Sequence, residues 1–153
     1  MGLSKKFLLI FGGVVAIIFL DYITKFLVAT KMQLGESITL IQNIFHITYV
    51  HNYGAGFGIL QGQRMLLMLI AVIVIGLIVY YYRKIPEIKY VQISAMFLLG
   101  GTIANFVERA WSGYVIDFIQ ISIWPKFNVA DSAIVLGGLG LAYYFWKEDG
   151  KKK

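Results

Sequence analysis

Residues 65–82 and 90–107 form two stretches of eighteen residues without a charged side chain, and these limit the fold more than any other feature of the chain. A helix of about 20 apolar residues crosses the ~30 Å of hydrocarbon in a bilayer. Inside lipid every backbone polar group must be satisfied within the chain, which leaves helices or a closed barrel, and these runs are too helix-like for a barrel. Two further runs have the right length. Residues 7–20 continue through Asp21 and Lys25 to about Ala29, and residues 127–146 are interrupted by Asn128 and Asp131 near their start. The pattern predicts an all-α membrane protein of one domain, residues 1–153, with four transmembrane helices at about 7–29, 65–82, 90–107 and 127–146. A hydrophobic content of 59% with only 14% charged residues agrees with an integral membrane protein and not with a soluble domain of this size.

The net charge of +6 reports orientation. Lys5 and Lys6 precede the first run, Arg83, Lys84 and Lys89 separate the second from the third, and Lys147, Lys151, Lys152 and Lys153 close the chain. These are nine of the fourteen Lys and Arg residues, all at ends that four spans put on one side. The positive-inside rule makes that side, with both termini, cytoplasmic. The basic residues do not gather on one surface, so nucleic acid is not expected as a partner. Attraction to anionic lipid headgroups is a secondary effect. Lys5 and Lys6 imitate the start of a signal peptide, but a small-x-small cleavage site does not follow; a retained helix is expected, as is a solvated tail over 147–153. With no cysteine, disulfides, thiol nucleophiles and Cys-based metal sites are excluded. His46 and His51, five apart in a strand-like stretch, point to opposite faces and make a poor metal pair, so no metal or cofactor is expected.

The long segment from Lys31 to Arg64 is more than a loop. Phe45, Ile47 and Tyr49 alternate with His46, Thr48 and Val50, the period of a strand, and residues 37–41 offer a partner across a turn at Gln42-Asn43. A small β-like element over about 37–60 is therefore expected at the outer face. It runs into Asn52-Tyr53-Gly54-Ala55-Gly56-Phe57-Gly58, where alternating glycines permit close approach by a neighbour.

Polar residues cluster at the corresponding ends of the spans. Asp21 and Lys25 lie at the exit of the first, Asn105, Glu108 and Arg109 at the exit of the third, and Asn128 and Asp131 at the start of the fourth. Asp117 falls in the connection between residues 111 and 126. Four large apolar residues flank it, Val115, Ile116, Phe118 and Ile119, unlike a solvated loop aspartate. A carboxylate near the start of an apolar run, as at Asp131, is costly and by default has a partner or a task. If the two carboxyl groups approach to about 4 Å, repulsion at an effective dielectric near 20 is about 4 kcal/mol, roughly three pK units. One then stays protonated beside an ionised neighbour, the arrangement used in acid–base peptide hydrolysis. Other elements have plainer readings. Asp21 and Lys25, four apart on a helix, either make an internal ion pair or contact substrate directly. Asn128 suits a helix cap. Asn105 and Arg109 share a helix face, where they either orient a carboxylate or substrate carbonyl, or leave Arg109 snorkelling beside Glu108.

Four patterns occur in one order: Asp-x-x-Thr-Lys at 21–25, Asn-x-Gly-x-x-Phe-Gly at 52–58, Asn-x-x-Glu-Arg at 105–109 followed by Gly-Tyr-Val-Ile-Asp-Phe at 113–118, and Phe-Asn-x-Ala-Asp-Ser at 127–132. In this the chain resembles the lipoprotein signal peptidase (signal peptidase II) family of bacterial inner-membrane aspartic peptidases, over about residues 5–147. The resemblance implies an endopeptidase that cleaves diacylglyceryl-modified prolipoproteins just before the lipidated cysteine. From the charge topology its site is expected at the outer face of the membrane, and the chain is expected to act as a monomer among membrane lipids. The resemblance also implies catalysis by Asp117 and Asp131, with supporting roles for Asp21, Lys25, Asn52, Gly54, Asn105, Arg109, Asn128 and Ala130. Two positions depart from the family pattern. Glu108 stands where Asp is usual, leaving ion pairing with an arginine open to it, and Ala104 replaces a frequent glycine. Two other classes compete. A proton-coupled transporter would place its carboxylates near the midplane and show repeats, which this sequence does not. A non-catalytic scaffold would tolerate amides at 117 and 131.

Overall fold

The computed structural model describes residues 4–151; Lys152 and Lys153, counted above among the cytoplasmic charges, lie outside them. The order of elements is α1 (Lys5–Lys31), β1 (Ser37–Ile41), β2 (Phe45–Asn52), α2 (Arg64–Tyr80), α3 (Lys89–Ser112), β3 (Val115–Ile121) and α4 (Val129–Gly150), with short 3₁₀ turns at Gly56–Gly58 and Tyr82–Lys84. Local chemistry sets the helix ends. The hydroxyl of Ser4 accepts from the Phe7 amide (3.1 Å) to open α1. Gly113, at φ +85°, takes the left-handed conformation that closes α3. α4 begins with a capping box, Asn128 and Asp131 each accepting from the other's backbone N–H.

Helices α1, α3 and α4 are long and apolar enough to cross a membrane, and α2 is a shorter apolar helix of 17 residues. Leu69, Ile73, Leu77, Val135, Leu136 and Leu139 are more than half exposed or close to it, as suits surfaces facing lipid. α3 is the central helix, packing against α1, α2 and α4. Small residues make that closeness possible. A Cβ at Gly100 would press on Ile17, one at Gly101 would strike the Ala130 carbonyl oxygen, and one at Gly137 would strike the α3 backbone at Leu98. α2 buries no residue and lies along α3. Between α2, α3 and α4 remains a cavity of about 650 Å³.

The three strands form an antiparallel sheet in the order β1-β2-β3. Asn43, at φ +61°, turns β1 into β2, as the sequence suggests. β3 is the main departure from expectation: residues 115–121 are a strand, not a plain connection, and α3 runs on to Ser112. Likewise α4 continues to Gly150, so the expected solvated tail is helix for most of its length. A register shift between Ile47 and Val50 puts Val50 opposite Asp117 and Asn52 opposite Val115. One face of β2 and β3 rests on the end of α1, where Val28, Tyr49 and Phe118 form a core flanked by Met32, Ile47 and Val129. The sheet thereby holds β3 against the start of α4.

Candidate active site

Strand alternation turns Asp117 to the same side as Val115, and the two are 2% and 1% exposed. Asp117 Oδ2 accepts from Asn52 Nδ2 (2.8 Å), and Oδ1 accepts from Asn128 Nδ2 (2.7 Å). Asp131, in the first turn of α4, accepts at Oδ1 from Asn105 Nδ2 (2.8 Å) and at Oδ2 from the backbone N–H of Asn128 (3.3 Å). The Asp131 N–H in turn donates to Asn128 Oδ1 (2.8 Å). Asn128 is fully buried and therefore holds both acids, one through its side chain and the other through its cap. The expected helix cap is present, and the same side chain also reaches Asp117. Burial, and after it the nearby charge of Asp131, push the Asp117 carboxyl up to about 7, against the pull of its two asparagine donors.

Behind the carboxylates lies a buried charge cluster. Lys25 Nζ sits 2.7 Å from Asp21 Oδ2 and 2.7 Å from Glu108 Oε2, and donates to Asn105 Oδ1 (3.2 Å). The Asp21–Lys25 ion pair is as expected. Asp21 also accepts from the Ala130 N–H at 2.8 Å, which brings the backbone at position 130 into this cluster. Glu108 does not pair with an arginine: α3 turns it toward Lys25, while its Oε1 accepts from the Ile116 N–H (3.0 Å). Arg109, one residue on, points the other way. It donates from Nη2 to the Gly54 carbonyl (2.8 Å) instead of to a carboxylate, and its buried Nε has no partner among the described residues. Of the two functions weighed for the Asn105–Arg109 face, orienting a carboxylate thus falls to Asn105.

All ten expected site residues meet at one end of the helices. Asn105, Arg109 and Asp131 line the polar end of the cavity, Ala55 and Gly56 contribute from the glycine-rich segment, and Leu67, Ile70, Val74, Ile134 and Val135 make the rest apolar. The histidines are elsewhere: His46 hydrogen-bonds Thr39 (3.0 Å), and His51 stacks on Tyr114 with ring centres 3.7 Å apart. Sequence reading missed Glu108 as a structural partner of the site. Its signal was there, since position 108 lies three residues after Asn105 and so shares its helix face.

Fold and site together define a helical membrane protein that keeps two carboxyl groups on a single asparagine. The sequence model for Signal peptidase (SPase) II matches residues 13–147. The chain is 43% identical over 136 residues to a lipoprotein signal peptidase of Halothermothrix orenii, spanning 89% of this chain and 94% of the relative. It is 45% identical over 140 residues to one of Brevibacillus brevis, spanning 89% and 93%. A bacterial membrane enzyme structure obtained by the in meso method at 2.3 Å resolution superposes with a TM-score of 0.87 at 30% identity, covering 94% of this chain and 91% of that one. The chain belongs to the signal peptidase II family, which are membrane aspartic peptidases.

Proposed function

We propose that the protein removes signal peptides from diacylglyceryl-modified prolipoproteins, cleaving before the lipidated cysteine, with Asp117 and Asp131 as the catalytic pair. The observation that carries this reading is the joint hold of Asn128 on both carboxyl groups. The ionised member takes a proton from a water between them, and the protonated member donates to the scissile carbonyl. The pair titrates as a unit, so base and acid are roles of the pair. Asn52 and Asn105 fix one carboxylate each. Arg109 lines the cavity, and its guanidinium is the group that would receive a substrate carbonyl there.

The apolar cavity supports a lipid-anchored substrate. Each buried methylene contributes ~0.8 kcal/mol of anchoring, so a diacylglyceryl chain keeps the peptide in the bilayer and reduces its search to two dimensions. The substrate enters between α2 and α4, and the segment from Gly54 to Gly58 covers the cleavage point. In this reading α2 is the second of four spans, both termini are cytoplasmic, the carboxylates work at the outer face of a bacterial inner membrane, and the single domain acts as a monomer.

The test is processing of a lipid-modified prolipoprotein by wild type, Asp117→Asn and Asp131→Asn at matched expression. Loss of processing in both variants is expected. Normal processing by either amide variant would sink the assignment, and intact processing with collapsed solute uptake would point to transport.

A further inference from the structure

Each acid of the pair follows a backbone amide that is held by a carboxylate, buried at Asp21 and half-buried at Glu108, and both of those carboxylates converge on one ammonium. Ala130, just before Asp131, donates its N–H to Asp21; Ile116, just before Asp117, donates its N–H to Glu108. Asp21 and Glu108 each place their other oxygen 2.7 Å from Lys25 Nζ. Asp21 and Lys25 are 3% and 4% exposed. The start of α4 and the strand β3 are thus tied to a common charge on α1 through two parallel links.

The two links differ in what else holds their acid. Asp131 sits in a capping box, so its helix start fixes it independently of Asp21. Asp117 lies on β3, where Asn52 and Asn128 donate to its carboxyl group. Along the outer edge Phe118 and Ile119 bond Phe127, but Ile116, just before Asp117, meets Glu108 there instead of a strand. The Ile116 N–H goes to Glu108, and its carbonyl accepts from Asn128 Nδ2 (3.3 Å). A carboxylate shared between an ammonium and an amide makes strong, directional bonds to both. The glutamate stem spans from α3 to both partners at once.

We infer that Glu108 is a positioning residue: it sets the depth of Asp117 against Asp131 by locking the Ile116 amide to the Lys25 charge. This rests on the peptidase reading above. An amide at 108 keeps an oxygen for Ile116 or for Lys25 but turns an NH₂ on the other, so one link opens. Glu108 touches neither acid, and its loss should slow turnover without weakening substrate binding.

The experiment compares wild type, Glu108→Gln and Glu108→Asp as full chains in phosphatidylglycerol–phosphatidylethanolamine vesicles. The probe is a synthetic lipobox peptide bearing a diacylglyceryl cysteine, and kcat, KM and thermal midpoint are measured separately. The expected result for Glu108→Gln is a kcat about 10- to 100-fold lower, as misplacement of a reacting group produces. KM should stay within about twofold and the thermal midpoint should hardly move. Glu108→Asp, which retains the charge, should recover most of the lost kcat. An unchanged kcat in Glu108→Gln overturns the inference, as does a loss confined to KM. Joint unfolding of both variants also overturns it, because the residue would then serve the fold alone. Equal loss in Gln and Asp variants overturns the role given to the charge. Absence of cleavage by wild type itself would instead remove the peptidase reading on which the inference stands.

Discussion

Asn128 Nδ2 lies 2.7 Å from Asp117 Oδ1 while the same side chain's oxygen accepts the Asp131 N–H, so one amide registers a strand against a helix start. Replacing it with alanine removes a helix cap, worth about 1 kcal/mol. It also takes a donor from a buried carboxyl group. Asn128→Ala should lower the thermal midpoint in detergent by a few degrees and reduce cleavage by about 100-fold, the cost of a reacting group displaced by an ångström. A variant that loses the stability but keeps its turnover would show that the cap, and not the bond to Asp117, is what matters.

The Asp117 carboxyl, raised to about 7 by burial and then by the Asp131 charge, sets a pH limit on turnover. Above that value the pair loses its shared proton, and nothing remains to protonate the scissile carbonyl. Cleavage should fall about tenfold per pH unit on the alkaline side, with the bend near pH 7. A rate that stays level to pH 9 would mean the proton comes from elsewhere.

The same shift has a consequence for stability. The folded protein holds a proton at Asp117 more tightly than the unfolded chain, whose value is near 3.8. The contribution is fully present below pH 3.8 and is lost as pH rises towards 7, on the order of 4 kcal/mol in all. Between pH 4 and 7 the wild-type midpoint should therefore decline more than that of Asp117→Asn, which has no proton to lose. Parallel curves for the two proteins would count against a raised Asp117.

What could be read in the sequence divides by the range of the interaction. The helices are legible because hydropathy is a local property, and the hairpin of β1 and β2 because its partners are a few residues apart. β3 is harder to read, because its ladder partner β2 lies far away along the chain, and the bond from Asn52 to Asp117 crosses 65 positions. The site residues could be placed at one end of the spans, since every polar interruption falls there. Which of them touch could not be read. The Lys25–Glu108 pair crosses 83 positions and depends on how α1 rolls against α3. The separate partners of Glu108 and Arg109 are hidden for a related reason: adjacent residues on a helix point about 100° apart, so Glu108 reaches Lys25 while Arg109 reaches the Gly54 carbonyl.

The contact of α3 with α4 offers a separate check on how packing sets the site. A Cβ at Gly101 would strike the Ala130 carbonyl oxygen, one residue before Asp131 and one helical turn from Asn105. Gly101→Val should push the helices apart, lower the thermal midpoint and abolish processing together. Gly12 on α1 has open space around its Cα. Gly12→Ala should leave processing unchanged, with a small gain in helix stability of about 0.5–1 kcal/mol at most. Equal tolerance at both positions would argue that the Asn105–Asp131 bond survives a looser bundle.

Gly54 separates cover from fold. Its carbonyl accepts from Arg109, and a Cβ there would press on the Ile59 carbonyl oxygen and the Gln61 side chain. The crowding lies within the glycine-rich segment, away from the helix contacts that hold α1, α3 and α4 together. Gly54→Val should therefore shift this segment and release Arg109 while the thermal midpoint stays near wild type. If the segment covers the cleavage point, turnover of the lipid-modified peptide should drop by about 100-fold, because water reaches the site and the peptide is held less closely. Wild-type turnover in this variant would mean that the segment is a connection only, and that the cavity between α2, α3 and α4 needs no cover to do its work.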